Sequence, residues 1–391
     1  MFRLKKATAV VICALVLLVL LFGCRAASNV GENNGVNTDS GDNAGASGEG
    51  LPEENPLNGD ELESPFAIDY DSAFAAFEPD TAMVIVGDKT VTWAELFMFM
   101  RRNVDTIFGE VEDWGARMGD GRTFGEAMKL HALDDALLFL AYEHGANLTG
   151  VSLGEEESLM LSEYMNSMSE QAGNEEELHR LVWELHSIYS LELFEKLLRT
   201  EYLLSMIMVK LYGQDGELLP DEDIVAYAES EVFLMAKHIA RLKTTHGNDT
   251  PRREIEAILQ QLDEFEGDDF EAFFDELMFE HSEDTYGLSA NPKGYLFKYG
   301  DIGPEFELAA LGLLVGEYSD VVETGLGYHI ILRVPIDFDT VPMGSAMLGD
   351  SRTLRLHAVF SVFDKLVLEW RDMLQYETTR EFDSLDVAAL F

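Results

Sequence analysis

The sequence predicts an α+β protein: a helical domain with a smaller mixed unit inserted near its end. Three observations predict it. From residue 92 to residue 230, apolar residues recur at three- and four-residue spacing through one segment after another, which is the period of an amphipathic helix. From residue 231 to residue 336 the texture changes to four strand-like runs separated by short helical stretches. One long amphipathic segment, "DSRTLRLHAVFSVFDKLVLEWRDMLQY", then follows, so helix stands on both sides of the mixed unit. An insertion whose two ends lie close together gives this pattern.

The elements read in order as follows. "MFRLKK" is basic, "ATAVVICALVLLVLLFG" is apolar, and Cys24 comes directly after. A basic start, an apolar run and a small residue before the break describe a secretion signal over residues 1–23. An uncleaved membrane anchor is the alternative, since the run is about long enough to span. Either way the positive start stays inside and the rest of the chain lies outside the cytoplasm. Residues 24–66 are Gly, Asn, Ser and acid, too poor in apolar residues to fold, and read as a flexible acidic linker.

Folding starts at 67 and the helical domain runs to 230. "TAMVIVGDKTVTWAELFMFMRR" is a strand-like run, a Gly-Asp turn and a helix capped by the Thr92/Glu95 box. Segments beginning at Thr123, Glu155, Asn174 and Ser190 continue the helical pattern. The last carries Met206 and Met208 beside Leu203 and Leu204, which reads as core, although methionine also suits adaptable binding. In the 231–336 unit, "EVFLMAKHIARL", "GYLFKYG", "SDVVET" and "GYHIILRVP" are strand-like. "RREIEAILQQLDEF" and "DDFEAFFDELMFEH" are helical, and "PEFELAALGLL" opens a helix on Pro304. The acids of "EFEGDDFEAFFDE" read as a solvated helix face, with calcium binding only weakly supported. Residues 337–391 supply a helix expected to pack on the helical domain, and a tail.

Composition excludes several functions. The chain of 391 residues has 27 Lys+Arg against 73 Asp+Glu, a formal charge of −46. Phosphate backbones would repel it, so it binds no nucleic acid. The same charge should disfavour strongly acidic peptides. The two cysteines are Cys13, inside the apolar run, and Cys24. If Cys24 is lipidated, a thiol nucleophile, a zinc–thiolate centre and a haem thioether are excluded. Phosphate-binding and dinucleotide-binding glycine patterns are lacking, and no cofactor or metal is expected.

Two histidines interrupt apolar strands: His238 in "AKHIARL" and His329 in "GLGYHIILRV". Either one alone is most often a satisfied core residue. Their setting argues otherwise. "AKHIARL", then "DDFEAFFDELMFEHSED", then "GYLFKYGDIGPEFELAALGLLVGEYSDVVETGLGYHIILRV" resemble, in order and spacing, the parvulin-type peptidyl-prolyl isomerases. The segments from "VIVGDKTVTWAEL" to "SLELFEKLLRTEYLLSMIMVKLY" are similar to the helical part of PrsA- and SurA-type foldases. "LFGC" at Leu21–Cys24 resembles a lipoprotein box, with Phe22 departing from the residue usual there.

The resemblance implies a four-stranded antiparallel sheet flanked by helices and isomerisation of X–Pro bonds. It implies His238, Asp284 and His329 as the catalytic group. It further implies a proline pocket from Ile302, Phe306 and Leu326, with Thr324 beside the histidine pair. Ile302 stands where Met is commonest. Leu326 and Leu311 stand where the family usually has Phe, so the pocket is apolar but less aromatic. Partners would be unfolded secreted polypeptides and, through lipidated Cys24, the outer face of the bacterial cytoplasmic membrane. Dimerisation through the helical region stays open. The alternative function is a holdase lipoprotein that binds clients on a degenerate isomerase domain.

Overall fold

The computed structural model describes residues 68–109, 111–243 and 249–391. The apolar N-terminal run, Cys24 and the acidic linker lie outside the described residues. Among the described residues no helix is long and apolar enough to cross a membrane. The chain divides into two compact units. The first comprises the described residues up to 140 together with 153–203 and 374–391; the second comprises 141–152 and 204–373.

The first unit opens with helix α1 (Tyr70–Phe74), followed by strands β1 (Ala82–Val86) and β2 (Lys89–Thr92) and helix α2 (Trp93–Thr106). Gly87, with φ +61°, supplies the left-handed residue that a tight β1–β2 turn needs. The predicted box caps α2: the Glu95 amide donates to Thr92 Oγ1 and the Thr92 amide donates to Glu95 Oε2. The packed face of α2 is aromatic. Trp93 and Phe97 are fully buried, Phe74 stacks on Trp93, and the Trp93 indole donates to the Phe74 carbonyl at 2.7 Å. Helices α3 (Phe124–Thr149), α4 (Glu155–Ala172), α5 (Glu175–His186) and α6 (Leu191–Tyr212) follow, the C-terminal ends of α3 and α6 being counted with the second unit. The unit holds one feature beyond the helical expectation. β2 and a late strand, β7 (Tyr376–Thr378), flank β1 in a three-stranded antiparallel sheet.

The second unit contains α7 (Asp221–Ser230), β3 (Leu234–Leu242), α8 (Thr250–Asp263), α9 (Phe270–His281), α10 (Thr285–Ala290), β4 (Tyr295–Phe297) and α11 (Pro304–Leu311). After these come β5 (Val322–Glu323), β6 (Gly327–Arg333), α12 (Met343–Met347) and α13 (Leu354–Met373). The four strands form one antiparallel sheet in the order β4-β3-β6-β5. β3 and β6 are central, and both faces of the sheet are covered, so β3 is buried continuously from Leu234 to Ala240.

Register assigns the faces. Ala236 lies opposite Arg333, His238 opposite Ile331, and Ala240 opposite His329. Opposed residues share a face, so His238 and His329 are diagonal neighbours on the same one. That face packs on α11 through Leu234, Phe297, Phe306, Ala310 and Ile331. The other face carries Met235, Ile239, Ile330 and Leu332 against Ile255 and Ile258 of α8 and Phe274 and Leu277 of α9. Each such side chain contributes about 1.5–3 kcal/mol when fully buried.

Lys237 sits on this second face with 5% of its surface exposed. Its ammonium is held by Glu271 at 2.8 Å and Asp275 at 2.7 Å. Two acids of the stretch read as a solvated face thus have a structural partner. Close approach also fixes Gly145: a Cβ there would lie 2.1 Å from the Trp370 ring of α13.

Candidate functional site

Four of the residues singled out in the sequence meet in one line of polar contacts. His238 Nε2 lies 2.9 Å from Asp284 Oδ2. The Nδ1 atoms of His238 and His329 lie 3.3 Å apart, with the two rings 14° from parallel. His329 Nε2 lies 2.9 Å from Thr324 Oγ1. Both imidazoles are buried.

Local structure explains each position. Asp284 is the N-cap of α10 and accepts the Gly287 amide at 3.0 Å, so a short polar side chain is required there in any case. The turn before it is tied to β3: the Glu283 amide donates to the Ala240 carbonyl, and the Ala240 amide donates to Ser282 Oγ. Thr324 sits in the β5–β6 turn, where its hydroxyl oxygen accepts the amides of Leu326 and Gly327. Gly327 allows the strands to close, since a Cβ there would stand 2.4 Å from the Arg241 carbonyl oxygen.

The partners assign one proton. An ionised Asp284 can only accept, so His238 carries a proton on Nε2 and donates it to the carboxylate. Of the two facing Nδ1 atoms, one donates and the other accepts. Thr324 Oγ1 accepts two amides, and both His329 Nε2 and, at 3.4 Å, the Gly327 carbonyl lie within reach of its own proton.

Electrostatics agree with an ionised Asp284. The His238 hydrogen bond, opposed by burial and supported by Tyr295 and the Gly287 amide, holds the Asp284 carboxyl well below the usual carboxylate range. Burial, with His238 alongside, lowers His329 to about 4, and Asp284 only partly offsets this. His329 is therefore neutral at pH 7.

Phe306 stands edge-on to both imidazoles, with ring centroids 5.4 Å from His238 and 5.8 Å from His329, and is buried. It comes from the first turn of α11, where Pro304 opens the helix. The other two expected pocket residues are exposed apolar side chains outside the cluster around Phe306. Ile302, in the β4–α11 loop, is 36% exposed, and Leu326, in the β5–β6 turn, is 76% exposed. Leu311 on α11 is exposed as well.

Two residues of the site escaped the sequence reading. The Tyr295 hydroxyl donates to Asp284 Oδ2 at 2.5 Å, and its ring meets His238 edge-on. Burial and the Asp284 charge both raise this phenol. Glu307 is buried at the head of α11, and its carboxylate accepts the amides of Gly300, Ile302 and Gly303. Burial works against its charge, but these amides outweigh it and lower its pKa. The alternation of "YLF" with the neighbouring strands could have flagged Tyr295 once the register was known. Glu307 carried no signal beyond its place in a first helical turn.

Comparison with known proteins agrees with this geometry. The family model of the PPIC-type PPIase domain, a rotamase, matches residues 234–334. The chain is 31% identical over 132 residues to the foldase protein PrsA of Halalkalibacterium halodurans, covering 34% of this chain and 37% of the relative. It is 32% identical over 173 residues to the PrsA of Oceanobacillus iheyensis, covering 44% of this chain and 50% of the relative. The chain thus spans about half or less of the length of these relatives. The crystal structure of PrsA from Bacillus subtilis aligns over 66% of this chain and 89% of its own, with 22% identity and a TM-score of 0.24. Residues 234–334, with paired histidines on the two central strands of an antiparallel sheet, constitute a PPIC-type, parvulin peptidyl-prolyl isomerase domain.

Proposed function

We propose that the protein is a membrane-anchored extracytoplasmic foldase that isomerises X–Pro bonds in secreted polypeptides and assists their folding. The single observation that carries the reading is the buried, near-parallel pair His238–His329, ended by Asp284 and Thr324 and bordered by Phe306.

The chemistry asks for no covalent step. An amide resists rotation by roughly 18–20 kcal/mol because its C–N bond has double-bond character. Uncatalysed X–Pro exchange takes tens to hundreds of seconds. The site has to bind the twisted amide better than either planar form. Twisting makes the carbonyl less polar and the nitrogen more basic, so an apolar wall that excludes water favours it. Phe306 would take the proline ring, with the exposed Ile302 and Leu326 closing on it only when substrate is bound. The histidines would not act as nucleophile or base. They would fix the floor of the site, with His238 donating to Asp284. The helical region from 67 to 230 would cradle the unfolded chain, and a lipid on Cys24 would tether the whole through the 24–66 linker. The inserted domain would span 231–336, with 337–391 returning to the helical part.

The test is protease-free exchange of a Xaa-Pro peptide, followed by NMR on the intact chain. Turnover is expected, with loss of most of it in Phe306→Ala and in the double variant His238→Ala/His329→Ala. Turnover that survives both changes would overturn the site assignment. An inert intact chain that still suppresses aggregation of an unfolded client would instead make it a holdase.

A further inference from the structure

The isomerase reading takes the orientation of Asp284 as given; two observations identify what fixes it. The first is its oxygens. Oδ1 accepts the Gly287 amide, while Oδ2 takes two donors, His238 Nε2 at 2.9 Å and the Tyr295 hydroxyl at 2.5 Å. The second is the space that lets the hydroxyl arrive. A Cβ at Gly287 would lie 1.5 Å from the Tyr295 hydroxyl oxygen and 2.3 Å from Asp284 Oδ2. The backbone of Gly287 has no left-handed φ, so glycine is there for room and not for conformation. Tyr295 and Gly287 fit each other around one carboxylate oxygen.

β4 delivers the tyrosine. Its register pairs Tyr295 with Ala236, which puts the side chain on the face of His238. The ring meets the imidazole edge-on at 5.4 Å and 85°. Tyr295 therefore acts on His238 twice, by its ring directly and by its hydroxyl through the carboxylate.

We propose that Tyr295 is a positioning residue of the isomerase site, whose hydroxyl, admitted by Gly287, holds the Asp284 carboxylate so that His238 and then His329 keep one tautomer and one orientation. The proposal rests on the isomerase reading above and concerns the same site. The titratable groups that face the carboxylate are His238 on β3, Tyr295 on β4 and, through His238, His329 on β6. Arg241, on the other face of β3, is engaged by Glu254 and Glu283.

Tyr295→Phe keeps the ring and removes only the donor. A carboxylate oxygen that loses one of its two donors is fixed by fewer bonds, and the imidazole that rests on it gains freedom. Followed by NMR of the ring nitrogens in the full chain at pH 7, the His238 signals that report a proton held on Nε2 should move toward the average of the two tautomers. At neutral pH kcat/KM should fall about three- to tenfold, mainly in kcat. Gly287→Ala, which pushes the hydroxyl away, should move the same signals in the same direction.

His238 ring-nitrogen signals in Tyr295→Phe that match those of the unsubstituted chain would overturn the proposal, as would an unchanged kcat/KM. If the unsubstituted chain has no turnover, the isomerase reading fails, but the ring-nitrogen signals still decide the role of Tyr295. If Gly287→Ala does not fold, Tyr295→Phe alone decides it.

Discussion

Acid should weaken the isomerase domain through one ring. His329 is buried, and its pKa falls from an ordinary 6.5 to about 4 in the folded chain. Between those two values the unfolded chain accepts a proton at this position that the folded chain refuses. The stability that depends on a neutral His329 is fully present above about pH 6.5. It declines as pH falls and is gone by about pH 4. At about 1.4 kcal/mol per unit, the difference comes to about 3 kcal/mol. Asp284 acts lower: its folded pKa lies below the ordinary 3.8, so its contribution is intact above that value and lost only at more acidic pH. The many other carboxylates also titrate, and their neutralisation relieves the repulsion within a chain of net charge −46. The measurement must therefore be a difference. Unfolding free energies are obtained at pH 7 and pH 4 for the unsubstituted chain and for His329→Gln, from amide exchange of the β3 and β6 peptides, which reports the second unit alone. The unsubstituted chain should lose about 3 kcal/mol more than the variant over this interval. Parallel pH dependences in the two proteins would refute the argument that burial keeps this ring neutral.

Two further outcomes follow from buried charges. Glu307→Gln leaves one acceptor oxygen for the amides of Gly300, Ile302 and Gly303, so the loop bearing Ile302 should loosen. The expected cost is about 1.5–3 kcal/mol in urea unfolding with a raised KM for Xaa-Pro peptides; an unchanged KM would detach this loop from substrate binding. Asp275→Ala leaves the Lys237 ammonium buried with Glu271 alone, whereas Lys237→Met leaves two carboxylates that water reaches. The aspartate variant should be the less stable by about 1–3 kcal/mol, and the reverse order would mean that the pair stabilises by attraction and not by relieving a buried charge.

The sequence made the site legible where spacing carries meaning. His238 and His329 stand out because each interrupts an apolar strand, and the motifs between them give an order that chance does not supply. Thr324 and Asp284 followed from that order, and the structure brings both onto the histidine pair. Phe306 followed as well, edge-on to both rings. Tyr295 stayed hidden because a three-residue strand has no periodicity of its own, and its face is set only by pairing with β3. Glu307 looked like any acid in a first helical turn, since its burial depends on how the preceding loop folds back. The burial of Lys237 gave no sign in the sequence because its two partners lie on α9, thirty-four and thirty-eight residues further on. β2 was read as the lead into α2, and "YET" of β7 is too short and too polar to announce a strand. The capping box and Pro304 were read correctly because both act within a single helical turn.

The pairing of β1 with β7 has a consequence for how the protein is made. Val84 meets Thr378, so the edge of the first sheet waits for residues that leave the ribosome only after β6 has been made. The strands of the isomerase sheet are all available by residue 333. The second unit can therefore acquire its sheet while β1 still lacks a neighbour. Closing so long a loop costs only slowly growing entropy, but the wait is set by elongation. During that interval β1 presents an open edge, the kind of surface on which nascent chains pair wrongly. An arrest of translation after β6 would leave a nascent protein whose isomerase sheet is complete and whose first sheet is missing a strand.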